Sequence, residues 1–123
     1  MGRIDRINQA VKREISILIH TEMKDPRLEF VTINNVEVSR DLQHARVYFT
    51  VLGDEKQALR AQEGLNSAKG FLRKLLGKRV RMRYTPEIDF IFDKSLEYSE
   101  RIEDALKEIR NESRTDHQNH QKK

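Results

Sequence analysis

Between Lys69 and Arg83 the chain places seven basic side chains, Lys69, Arg73, Lys74, Lys78, Arg79, Arg81 and Arg83, with no acidic residue among them. Clustered ammonium and guanidinium groups neutralise phosphates and release their counterions, so the chemistry they offer is binding to a nucleic-acid backbone. The same run would also serve as a solvated face. Three more arginines, Arg3, Arg6 and Arg13, lie near the N-terminus at spacings that put them on one side of a helix. Groups for covalent or metal chemistry are sparse by comparison. The absence of Cys excludes a thiol nucleophile, a disulfide framework, a zinc ribbon and an iron–sulfur site. His20 and His44 have no cluster of carboxylates around them at ligand spacing, and His117 and His120 fall in a wholly polar terminal stretch. Glu87, Asp89 and Asp93 alternate along one segment, where a solvated or Arg-paired role suits them better than holding a divalent cation. No catalytic residue, metal site or cofactor is expected.

The whole chain masks this asymmetry. Its 123 residues hold 24 Lys plus Arg and 20 Asp plus Glu, a formal charge of only +4. Residues 1–85 carry 17 basic and 10 acidic side chains, whereas residues 86–123 carry 7 and 10. The length is that of one domain. No apolar stretch approaches the ~20 residues of a membrane span. The opening Met1-Gly2-Arg3-Ile4-Asp5-Arg6 is charged where a signal peptide needs its apolar run. A cytoplasmic protein without a membrane partner is expected.

The elements that must position these side chains are legible from periodicity. Ile4, Ile7, Val11, Ile15, Leu18, Ile19 and Met23 form the apolar stripe of one long helix, which Asp25-Pro26 stops. Two strands follow, about 30–39 and 44–52, joined by a short polar loop around Arg40-Asp41 as an antiparallel hairpin. Val31 and Ile33 share one parity while Val36 and Val38 share the other, which predicts a bulge at Asn34-Asn35. Asp54 is a candidate N-cap for a second helix carrying Ala58, Ala61 and Leu65. Phe71, Leu72, Leu75 and Leu76 restart the pattern in a shifted phase, so two short helices are predicted to meet at a kink around Ala68-Lys69-Gly70 and to end at Gly77. Val80, Met82, Tyr84, Pro86, Ile88, Phe90 and Phe92 then keep a period of two, predicting one long third strand with Arg79, Arg81 and Arg83 on its wet face. A last helix over about 95–110 carries Leu96, Ile102, Leu106 and Ile109. Residues 111–123 contain no apolar side chain and are expected to be a disordered polar tail.

The order helix, strand, strand, helix, kink, helix, strand, helix describes a two-layer α+β domain over residues 1–110 with a three-stranded mixed sheet. It is also the order of the type II KH fold, in which a Gly-x-x-Gly loop between two helices clamps single-stranded nucleic acid. Here that junction reads Ala68-Lys69-Gly70. The local residues resemble the bacterial ribosome-binding factor A family. The resemblance rests on Arg3-x-x-Arg6, Arg13-Glu14-Ile15, Lys24-Asp25-Pro26-Arg27 and Val31-Thr32-Ile33, and on Val36-Glu37-Val38-Ser39-Arg40-Asp41-Leu42. It continues through Ala45-x-Val47-Tyr48, the Ala68-x-Gly70 motif with Phe71-Leu72-Arg73, and Arg83-x-x-Pro86-x-Ile88-x-Phe90-x-x-Asp93-x-Ser95, about residues 3 to 109 in all.

The resemblance implies a non-catalytic, monomeric assembly factor. It would bind free or immature small (30S) ribosomal subunits and their 16S rRNA, leave the mature particle, assist late maturation including 5′-end processing, and be linked to cold adaptation. The candidate RNA-binding residues are Arg3, Arg6 and Arg13; Lys69, Gly70, Arg73, Lys74 and Lys78; and Arg79, Arg81 and Arg83. Gly70 has two open roles, contact with RNA or a structural kink. Tyr48 and Phe71 are more naturally core residues than base-stacking platforms. A second functional reading is an adaptor, whose acidic last helix with Glu97, Glu100, Glu103, Asp104 and Glu108 would dock on ribosomal proteins or an assembly GTPase.

Overall fold

Val11, Ile15, Leu18 and Ile19 bury one stripe of the first helix, α1 (Arg3–Thr21), against a three-stranded sheet. The computed structural model describes residues 2–94, so the last helix and polar tail read from the sequence lie outside the described residues. Helix α1 ends at Thr21 with Glu22 as its C-cap, before the expected stop, so Met23 packs on the core from outside the helix and the chain then turns at Asp25-Pro26. The Asp25 carboxylate accepts the Arg27 backbone N–H at 3.0 Å and the Arg27 guanidinium at 2.7–3.1 Å, closing a short 3-10 turn over Pro26–Leu28.

Strand β1 (Val31–Val38) pairs antiparallel with β2 (His44–Val51), and β2 pairs parallel with β3 (Glu87–Phe92), giving the mixed order β1-β2-β3. The predicted bulge is present: Ile33 faces Phe49 and Asn35 faces Tyr48, leaving Asn34 as the extra residue. That one insertion lets Val31, Ile33, Val36 and Val38 all bury on the same side despite their opposite parities. The Asn34 side chain is used as well, donating to Asp93 at 3.2 Å and accepting from Thr50 at 3.4 Å. Phe49 at the centre of β2 meets Phe90 and Phe92 edge-on, with centroids 6.5 and 5.6 Å apart.

The second helix departs from the expectation. Capped by Asp54 with Gln57, α2 runs unbroken from Glu55 to Arg79, so the two short helices and their break at Ala68-Lys69-Gly70 are not formed. Ala61, Leu65, Ala68, Leu72 and Leu76 repeat every three or four residues as one continuous buried or half-buried stripe. Giving Phe71 and Leu75 equal weight creates the apparent phase shift, but Phe71 is 48% exposed and only Leu75 packs partly on the core. Gly77 does not end the helix either. It allows Thr85 to lie against it, since a Cβ there would sit 2.8 Å from Thr85 Oγ1.

The third strand is shorter than the periodicity predicts. Its ladder starts where Glu87 meets His44, the first residue of β2, and residues 80–86 precede it in the parallel direction, beyond the end of the central strand. With no strand beside them, and with Pro86 lacking an N–H, they form an irregular connection. Val80 and Met82 still pack on the core and Pro86 is buried, which is why the period of two survives in the sequence without a strand. Arg79 therefore ends α2, while Arg81 and Arg83 belong to this connection. Helix α1 lies on β1, α2 on β3, and the helices touch each other, forming the second layer of an α+β domain.

Candidate nucleic-acid interface

Four of the sequence-predicted arginines converge. Arg3 and Arg6 on the first turns of α1, and Arg81 and Arg83 on the connection before β3, surround a cleft of about 670 Å³. Its remaining lining is Ile7, Leu42 and Met82, which are half-buried and packed against the core. Among the described residues no carboxylate lines this cleft, and none of the four arginines is ion-paired. Arg83 lies 5.6 Å from the ring centroid of Tyr84, which is half exposed. The arrangement offers strong donors to phosphate around an apolar floor.

The other predicted basic residues are placed differently. Arg13 is exposed about two turns further along α1, outside the cleft lining. Lys69 reaches Asp89 on β3 at 3.8 Å, and His44 Nδ1 lies 4.0 Å from the same carboxylate. Arg73 donates twice to the carbonyl of Thr85, at 3.2 and 2.9 Å, while Gly77 makes room for the Thr85 side chain. These contacts pin the connection that carries Arg81 and Arg83, so Arg73 acts here as a positioning residue. Arg79 Nη1 lies 3.4 Å from Glu14 Oε1, tying the end of α2 to α1. Lys74 and Lys78 are exposed. In the Ala68-Lys69-Gly70 motif, Ala68 packs on the core, Lys69 pairs with Asp89, and nothing lies within 4 Å of where a Gly70 Cβ would stand. The motif presents helix backbone, with no loop of the Gly-x-x-Gly kind.

Besides Gly77, packing demands a glycine at Gly64, where a Cβ would meet Leu28 at 3.0 Å and Asp25 at 3.1 Å. Of the stacking candidates, Tyr48 is half-buried and its hydroxyl donates to Glu37 at 3.2 Å, while Phe71 is exposed beside Gly70, contrary to the core role expected for it. Among the described residues no group of three or more His, Asp or Glu is placed to hold a metal ion, and no helix is long and apolar enough to cross a membrane. His20 Nε2 lies 3.1 Å from the carbonyl of Val31, a bridge between α1 and the sheet.

Sequence reasoning missed Leu42, which the structure places on the cleft with a positive φ of 62°. Only its position beside Ser39-Arg40-Asp41 signalled it. The turn is fastened by the Asp41 carboxylate, which accepts the Ser39 hydroxyl at 2.6 Å and the Gln43 N–H at 3.0 Å. The Ser39 hydroxyl holds the Asp41 carboxyl below its usual 3.8. The Arg27 guanidinium acts likewise on Asp25.

Comparison with known proteins agrees with this architecture. A family model described as ribosome-binding factor A matches residues 3–106. The chain is 47% identical over 114 residues to a ribosome-binding factor A of Halothermothrix orenii, covering 93% of each. It is similar to the crystal structure of ribosome-binding factor A from Thermus thermophilus, with TM-score 0.65 and 30% identity over 74% of this chain and 96% of that one. It is also similar to a Thermus thermophilus ribosome-binding factor A homology model fitted into a cryo-EM map of its complex with the 30S subunit. There the TM-score is 0.58 and the identity 33%, over 71% of this chain and 91% of that one.

Proposed function

The chain belongs to the ribosome-binding factor A family, and from that premise we propose that it is a non-catalytic assembly factor for the small ribosomal subunit. It binds free or immature 30S subunits in the cytoplasm, contacts 16S rRNA through its arginine face, assists late maturation including 5′-end processing, and contributes to growth in the cold. The observation that carries the RNA contact is the convergence of Arg3, Arg6, Arg81 and Arg83 without carboxylate partners among the described residues. A relative's fit into a 30S complex supports the choice of particle. Phosphate contacts of this sort position a protein on RNA, and the shape of the folded particle supplies the specificity.

Co-sedimentation with precursor 30S, mature 30S and 70S particles over a salt series tests this. Binding to free or immature subunits, absent from 70S and falling steeply with salt, is the expected result. Binding that ignores salt and persists when the RNA is digested away would overturn it in favour of an adaptor docked on ribosomal proteins.

A further inference from the structure

We propose that the arginine-lined cleft seats one unpaired nucleotide, its base against the apolar floor and its flanking phosphates on the arginines. The inference rests on the RNA-binding reading above and goes beyond it by assigning a base-binding role to a cleft. Phosphate binding alone needs only cations on an accessible surface. This cleft adds Ile7, Leu42 and Met82, three apolar side chains that line it together with the four arginines. It is an open cleft of about 670 Å³, room enough for a nucleotide to lie in it. An A-form duplex keeps its base faces stacked inside and offers nothing to such a floor, whereas a splayed base offers a flat apolar face.

Leu42 is the residue that separates a built site from a bare patch. A φ of 62° is uncommon for any residue but Gly, Asn or Asp. The turn holds it from both sides. The Leu42 N–H donates to the Ser39 carbonyl at 2.9 Å, and the Gln43 N–H donates to Asp41 at 3.0 Å. Ser39 in turn accepts the His44 N–H at 3.1 Å through its hydroxyl. Glycine would take this conformation without strain, yet the position carries a branched apolar side chain that lines the cleft. Backbone outliers over-determined by their surroundings concentrate where a side chain must be presented to a ligand. Ser39 and Asp41 are thus positioning residues, and Leu42 is the contact they position.

Fluorescence anisotropy on the full-length chain tests the proposal. The probes are a labelled single-stranded adenosine decamer, an abasic decamer with the same number of phosphates, and an RNA duplex of equal length. The decamer with bases should bind at least about fivefold tighter than the abasic one. Leu42→Gly, which suits the positive φ, should erase that preference and leave the salt slope unchanged. Met82→Ala should reduce the preference in the same direction. Arg81→Gln with Arg83→Gln should weaken both decamers alike and lower the salt slope. Equal binding of the two decamers, tighter binding of the duplex, or full base preference in Leu42→Gly would overturn the nucleotide site. Failure of the wild-type chain to co-sediment with 30S particles would instead overturn the functional reading on which it rests.

Discussion

Two basic regions that are continuous in sequence behave differently in space. Lys69, Arg73 and Arg79 on α2 are engaged by Asp89, the Thr85 carbonyl and Glu14, and so tie the helix to β3, to the connection and to α1. Arg81 and Arg83, only a few residues later, turn away from α2 and join Arg3 and Arg6 around a cleft without carboxylates among the described residues. The difference teaches that local charge density does not measure the charge available to a partner. Half-exposed pairs such as Lys69–Asp89 contribute about 0–1 kcal/mol to folding, but they neutralise the field that a phosphate would feel. Unpaired arginines beside an apolar floor keep theirs.

The sharpest way to break this comparison is charge reversal on each side. Arg81→Glu with Arg83→Glu takes away two of the proposed phosphate contacts, so the log–log salt slope for 30S binding should fall by roughly 2 and affinity at physiological salt by about 30-fold. Co-sedimentation over a salt series, with circular dichroism to verify folding, measures both.

Next in size is a pair of glycine substitutions with opposite signs. Gly64→Ala forces a methyl onto Leu28 and Asp25 and should lower stability by about 1 kcal/mol after its helix-propensity gain. Gly70→Ala meets open space and should raise stability by about 1 kcal/mol. Thermal unfolding reads the two shifts. Subunit binding unchanged in Gly70→Ala supports a helical role for the motif, whereas lost binding would move the interface back to α2.

A smaller effect is expected from Lys69→Met with Lys74→Met, because one of the two lysines already faces Asp89. The salt slope should fall by about 1 or less, and a drop equal to that of the Arg81 and Arg83 pair would erase the distinction drawn between the regions. Smallest is a pH dependence. The carboxyls of Asp25 and Asp41 are held below 3.8 in the folded chain, so their contributions are present above that value and lost as pH falls through the lower folded values. Urea midpoints should drop between pH 5 and pH 2, and Asp41→Asn should shrink that drop slightly.

Much of the fold was legible because it follows from local periodicity. The stripe of α1 from Val11 to Ile19, the Asp54 cap and the hairpin appear as read, while α1 ends at Thr21, short of the expected stop at Asp25-Pro26. The bulge at Asn34 was legible too, since Val31 and Ile33 cannot share a face with Val36 and Val38 without an inserted residue. Two misreadings share a cause. Phe71 looked like core, and the period of two from Val80 looked like a strand, because apolar pattern reports burial and not the backbone pairing that accompanies it. Whether Phe71 is covered depends on what α2 packs against. Whether residues 80–86 form a ladder depends on where β2 begins.

By itself the sequence determined the first helix, the hairpin with its bulge, the family and the charge asymmetry, all of which are properties of neighbours along the chain. Tertiary structure alone decided which arginines meet, which are neutralised, and that Leu42 shares their cleft. The reason is physical: an electrostatic site is made by distances of a few ångströms, and those are set when the N-terminal turns of α1, the hairpin turn and the connection before β3 are packed onto one core.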